Sequence, residues 1–177
     1  MTLDETKELL TNHEIPFVQV EYESEIEFFK HLKNQSEKAR PYKVIALVIK
    51  SKNGKKDLEI QFNIIGNNVL FQDLWFGAYW YELFDCSDET LGNEILNTVI
   101  SIMNGGESVI LIYNYKSDRC IGSLNFVRSN DDGVFDSLGL KKTMEKIEKK
   151  KTFISKIFNY KRKYEIYDWN TYRLIIK

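Results

Sequence analysis

The residues able to do chemistry are few in this chain and poorly spaced for it. The metal-binding and nucleophilic candidates are Cys86, Cys120, His13 and His31, with no other cysteine or histidine to join them. Metal sites draw three or four ligands from short spacings, and nothing of that kind surrounds any of the four. Asn130-Asp131-Asp132-Gly133 has the acidity of a calcium loop but neither its alternating oxygen ligands nor its closing glutamate, so it reads as a turn. Nucleophilic catalysis needs a base beside the nucleophile. No G-x-S-x-G elbow is present, and both histidines fall in the first fifth of the chain, far in sequence from Cys86. Gly105-Gly106-Glu107-Ser108 follows a helical pattern and precedes a strand-like one, the reverse of a phosphate-cradling loop, and no G-K-[ST] accompanies it. A carboxylate-based enzyme, with or without a divalent metal, stays open as the catalytic alternative. With 26 acids in the chain some pair is always on offer, and that freedom gives the idea no address. These residues point to a non-catalytic chain that needs no cofactor.

Two segments are richer. The first runs from Asp73 to Asp85 and sets Trp75, Phe76, Tyr79, Trp80, Tyr81 and Phe84 among Asp73, Glu82 and Asp85, with Asp88 and Glu89 following. Large rings rimmed by carboxylates are the composition of a binding patch. The partner-binding candidates are therefore Asp73, Trp75, Tyr79, Trp80, Glu82, Asp85, Asp88 and Glu89. Buried, the same rings would simply be core. Gly77 predicts a bend or bulge that re-aims side chains here. The second segment, Lys141 to Lys163, holds ten Lys and Arg with Phe153, Phe158 and Tyr160 between them. Contact with nucleic acid is one reading of it. A solvated helix opposite a Leu140, Met144 and Ile147 stripe is the plainer and preferred one, because the chain as a whole is not basic and carries no base-reading motif.

The formal net charge of −1 conceals a segregation. Residues 1–140 hold 13 Lys and Arg against 22 Asp and Glu, and residues 141–177 hold 12 against four. From Asp57 to Tyr115 there are nine acids and no Lys, Arg or His. Such asymmetry points to a charged partner, unless acidic and basic segments lie side by side in the fold and neutralise each other. No apolar run approaches the roughly 20 residues a bilayer span requires. The stretch MTLDETKELLTNHE is acidic and lacks the apolar centre of a secretory signal, and two unframed cysteines suit a reducing cytoplasm.

The elements that must position these residues follow from pattern. Thr2-Leu3-Asp4-Glu5 is a capping box that predicts a helix over 3–12, and Ser24 to Glu27 is a second, predicting a helix to about residue 39, where Pro41 ends it. Ile15 to Val20 reads as a short extended segment with Pro16 at its entry. Val44 to Ile49 is an unbroken apolar run that suits a central strand. Leu58 to Ile64 alternates cleanly, with Glu59, Gln61 and Asn63 on its polar side. Asn53-Gly54 between these two reads as a hairpin turn, and Gly66-Asn67-Asn68 leads into a third strand, a meander in all. Leu91 to Met103 has helical spacing, a cap at Ser87 or Asp88 and a stop at Asn104-Gly105-Gly106. Strands over 108–116 and 120–128, a basic helix across 140–158, and a hairpin of 163–169 with 172–177 complete the chain. The sum is a single α+β domain over 1–177, mainly an antiparallel sheet of five to seven strands with three or four helices.

A small α+β chain rich in Lys, Asn and Ile, with an acidic middle and the block LWFGAYWYELFD, resembles the immunity proteins of bacterial contact-dependent growth inhibition and polymorphic toxin systems. The resemblance is one of overall character across most of the chain and assigns no residue a role. It implies a cytoplasmic toxin inhibitor that binds a cognate basic protein, a nuclease-type toxin domain, one to one. Neither membrane nor nucleic acid is the partner expected from the apolar pattern and the charge, and oligomeric state stays open.

Overall fold

A computed structural model describes residues 1–24, 42–65, 68–81, 83, 88–127 and 161–176. Its first element, α1 (Leu3–Asn12), is the helix the capping box predicts: Thr2 Oγ1 accepts from Glu5 N at 3.3 Å while Thr2 N donates to Glu5 Oε2 at 2.7 Å. Leu3, Thr6 and Leu10 form its buried stripe, and Thr6 satisfies its hydroxyl on Thr2 O at 2.8 Å. The helix ends in a Schellman motif, with Ile15 N on Leu10 O and Glu14 N on Thr11 O. Glu14 takes the left-handed position at φ 55°.

The chain divides into two compact units, Met1–Ile100 and Ser101–Lys177, the division falling inside the second helix. In the first unit a meander of β1 (Val18–Ser24), β2 (Tyr42–Ile49), β3 (Leu58–Ile65), β4 (Asn68–Phe76) and β5 (Tyr79–Tyr81) forms a five-stranded antiparallel sheet in sequential order. Val44 to Ile49 are all buried, as an unbroken apolar run between two neighbours requires. The alternation of β3 sends Leu58, Ile60 and Phe62 into the core, where they meet Leu47, Ile49, Leu74 and Phe76. Fully burying a side chain of this size contributes about 2 kcal/mol.

Two connections differ from simple expectation. Asn53-Gly54 does lie in a hairpin connection with Gly54 at φ 65°, but the loop is longer than a tight turn, because β2 ends at Ile49 and β3 begins at Leu58. Asn53 organises the longer loop, its Oδ1 accepting from Lys55 N at 2.8 Å and Lys56 N at 2.9 Å. The bend at Gly77 is the tight turn from β4 to β5, with Phe76 paired to Tyr79 and Gly77 at φ 59°, where a side chain would be strained. Within β4 the pairing passes from Gln61 with Asp73 to Phe62 with Phe71, so Gln72 is the extra residue of a bulge.

The second helix, α2 (Asp88–Met103), buries Leu91, Ile95, Leu96, Val99 and Ile102. It also ends in a Schellman motif, Gly106 N bonding Ser101 O and Gly105 N bonding Ile102 O, both at 2.9 Å. Here the left-handed residue is Gly105, φ 68°.

In the second unit β6 (Glu107–Asn114), β7 (Cys120–Val127), β8 (Arg162–Asp168) and β9 (Tyr172–Ile176) form an antiparallel sheet ordered β7-β6-β8-β9. β6 is central and buries Glu107 to Ile112. Ile110, Ile112, Tyr164 and Ile166 pack together with Ile175 against them. The predicted hairpin around Asn170-Thr171 is present, and the Asp168 carboxylate holds it by accepting from Asn170 N, Thr171 N and Thr171 Oγ1.

The α+β class and antiparallel pairing are as predicted. The sheet count is corrected: in place of one sheet of five to seven strands, the described residues form two, of five and four strands. β6 pairs with β7 and β8 and never with β5, because helix α2 interrupts the meander and a new sheet starts after it. Two helices, α1 and α2, lie among the described residues. The predicted helices over 24–39 and 140–158 lie outside them, apart from Ser24, which ends β1.

Candidate functional site

Paired residues of an antiparallel sheet project to the same face, so the register fixes what gathers there. Trp75 pairs with Glu59 on one side and Trp80 on the other, and Asp73 pairs with Gln61. Tyr22 and Asn63 both pair with Val44. One face of the first sheet therefore carries Tyr22, Glu59, Gln61, Asp73, Trp75 and Trp80, drawn from four of its five strands.

Hydrogen bonds tie these side chains into two groups. Gln61 Nε2 donates to Tyr22 Oη at 2.7 Å and to Glu59 Oε2 at 3.2 Å, and the Tyr22 hydroxyl donates to Glu59 Oε2 at 3.3 Å. Trp80 Nε1 donates to Asp73 Oδ1 at 2.9 Å, a diagonal bond across β4 and β5. The Trp75 and Trp80 rings lie 6.4 Å apart at 32°. Trp75 Nε1 is buried and finds no acceptor among the described residues. All but Tyr22 are half-buried, and Tyr22 is 37% exposed.

Among the described residues the ion pairs are Lys7 with Asp4, Lys50 with Asp57 and Lys163 with Asp118, and none involves Glu59 or Asp73. Glu59 and Asp73 thus sit in partial burial with neutral hydrogen-bond donors; Lys50, paired with Asp57, acts on Glu59 through charge alone, and no cation among the described residues pairs with Asp73, an arrangement that costs desolvation.

Beside the face, at the bulge, is a partly enclosed pocket of about 300 Å³ lined by Phe71, Gln72, Asp73, Trp80, Tyr81, Leu83 and Leu91. The extra residue in β4 explains its composition. Phe71 and Asp73, two apart in an unbroken strand, would share a face, but the inserted Gln72 turns Phe71 toward Phe62, 6.3 Å away edge-on, and leaves Asp73 with Gln61.

A second cluster of polar and aromatic side chains lies on the sheet of the second unit. Lys163 pairs with Asp118 and stands 4.5 Å from the centroid of the Tyr113 ring. Its neighbour Asp118 holds the Lys163 ammonium above its usual range. Burial, then the Glu165 carboxylate, pushes the Tyr113 and Tyr172 phenols up.

Of the residues singled out from sequence, Asp73, Trp75 and Trp80 come together on the first sheet. Tyr79 does not join them: it pairs with Phe76 on the opposite, apolar face and meets Tyr81 edge-on at 5.0 Å. Asp88 and Glu89 open α2. Glu82 and Asp85 lie outside the described residues, as does the basic run as far as Tyr160. Tyr22, Glu59 and Gln61 were not among the candidates. The alternation of β3 does place Glu59 and Gln61 on one face, and a meander makes β4 its neighbour, so the signal existed for those two. Tyr22 reaches them only across β2, which the sequence does not reveal. Among the described residues no group of three or more His, Cys, Asp or Glu could hold a metal ion, and no helix is long and apolar enough to cross a membrane. No protein-family model, curated protein or solved structure matches this chain.

Proposed function

We propose that the chain is a non-catalytic protein-binding module whose carboxylate and aromatic face receives a basic partner, and that it serves as an immunity protein neutralising a cognate nuclease-type toxin domain. One observation carries the reading: Asp73, with no ion pair among the described residues, stands with Glu59, which only the charge of Lys50 reaches, among Tyr22, Trp75 and Trp80 on a single sheet face. A cationic partner would supply the missing counter-charge. The rings would supply the apolar contact that holds a complex once charge has steered it in. Nucleases expose basic surfaces because they must grip phosphate, which makes them suitable partners for such a face.

Tagged wild-type protein and the Glu59→Lys/Asp73→Lys variant test this by capture from the native host. The expected result is one stoichiometric basic protein on the wild type, released by rising salt and lost from the variant, while the variant's thermal midpoint stays within a few degrees. Equal capture by both proteins, or recovery of nucleic acid alone, would overturn the proposal. Activity of the captured protein as a nuclease, abolished by adding wild type, separates toxin neutralisation from other protein binding.

A further inference from the structure

We infer that the pocket at the β4 bulge is the seat of a single arginine side chain presented by the basic partner. This rests on the protein-binding reading and adds the chemistry of the anchor. The pocket has two kinds of wall. Phe71, Trp80, Tyr81, Leu83 and Leu91 are aromatic or aliphatic, and Asp73 is the one ionised group among the lining residues described. Asp73 already accepts from Trp80 Nε1 at 2.9 Å through Oδ1, which fixes both the carboxylate and the indole, and it has no ion pair. Its second oxygen is the acceptor left for a ligand. A planar guanidinium suits this pairing, because it can donate to a carboxylate at its edge while its face lies on an aromatic ring. An ammonium offers a point charge without the flat face, and a neutral apolar side chain would leave the Asp73 charge uncompensated in a partly desolvated site. At about 300 Å³ the volume is at the lower limit of small-molecule pockets and suits one side chain better than a cofactor.

No lining residue described is itself a cation. No Lys, Arg or His occurs from Asp57 to Tyr115, a span that includes every lining residue described. The segment that builds the pocket therefore offers Asp73 no side-chain cation of its own.

The test uses N-acetyl-arginine methylamide and its neutral isostere, N-acetyl-citrulline methylamide, titrated into full-length protein labelled with nitrogen-15. The three tryptophans give three indole signals, assigned by single Trp→Phe variants. The expected result is a saturating shift of the Trp80 indole N–H with the arginine probe at about 1–10 mM, in keeping with the modest affinity of so small a ligand. The citrulline probe should bind at least tenfold more weakly, and the Trp169 signal should not move. Asp73→Asn should weaken the arginine probe at least fivefold. Equal responses to arginine and citrulline, no saturation by 50 mM, or an unchanged affinity in Asp73→Asn would overturn the assignment. The probe comparison on wild-type protein decides the matter even if Asp73→Asn folds poorly. Because the probes are not the partner, failure here with retained capture by the wild type rejects the arginine seat alone; loss of capture as well rejects the face.

Discussion

The Tyr22–Trp80 face of the first unit and the Tyr113–Tyr172 cluster of the second use the same materials, tyrosines and carboxylates on an antiparallel sheet. They differ in the cation. In the second unit Lys163 pairs with Asp118 and stands over Tyr113, beside Glu165, so a cation lies within the cluster. In the first, Asp73 has no cation beside it among the described residues, and Glu59 accepts only from neutral donors, with Lys50, paired with Asp57, acting on it through charge alone. Formal charge follows the same division. Residues 1–100 hold ten Lys and Arg against 17 acids, and residues 101–177 hold 15 against nine. A cluster that already holds a cation has less to gain from a cationic partner. An unneutralised one recovers part of its desolvation cost when a cation arrives, so the first unit is the better place to look for binding.

The two units are alike in their cores and differ at their surfaces, and the largest expected effect lies in the cores. Phe62 and Ile110 are both fully buried, one in each unit. Phe62→Ala should cost about 4 kcal/mol and Ile110→Ala about 3 kcal/mol, read from urea midpoints. A cost below about 1 kcal/mol for either would mean that its unit has no packed core.

The helix ends offer a smaller contrast. Both helices close with the same backbone bonds, but α2 has Gly105 at the left-handed position and α1 has Glu14. Gly105→Ala should destabilise by about 1 kcal/mol, whereas Glu14→Gly should stabilise by up to about 1 kcal/mol. Urea denaturation of the two variants checks the opposite signs. Same-sign shifts would mean that neighbouring packing, and not φ, governs these positions.

The pH responses should also separate the units. Tyr113 and Tyr172 titrate above their ordinary value of 10 in the folded state, through burial and then Glu165. Stability from that source is complete below pH 10 and declines as pH rises through the folded values. Glu165→Gln should flatten this alkaline decline, followed by the unfolding signal of buried Trp169.

The smallest effect is on the acid side. The backbone bond from Thr2 lowers the Glu5 carboxyl below its ordinary 4.5. Its contribution is therefore complete above that value and fades as pH falls through the lowered one. Glu5→Gln should narrow the stability difference between pH 6 and pH 3, and a difference as wide as in the wild type would contradict the role given to the capping box.

Much of the local structure was legible in particular residues. Thr2 and Glu5 specify the start of α1, because two side chains satisfy two otherwise open N–H groups at fixed spacing. Asn104-Gly105-Gly106 specifies the end of α2, because the motif needs positive φ. Val44 to Ile49 announces a strand covered on both sides. The aromatic segment was half legible. Asp73, Trp75 and Trp80 do share a face, but Tyr79 sits opposite because strand side chains alternate and a hairpin partner inherits its neighbour's face. The bulge at Gln72 had no sequence signal, since no glycine marks it, and without it the pocket lining could not be foreseen.

The sequence by itself determined the caps, the strand alternation, the antiparallel meander and the cation-free span from 57 to 115, all of which depend on neighbours a few residues apart. Only tertiary structure decided that there are two sheets, that Tyr22 reaches Glu59 and Gln61, and that Asp73 bonds Trp80 beside a pocket. Those outcomes rest on register between strands. A single inserted residue changes which side chains meet, and hydrophobic pattern alone is blind to it.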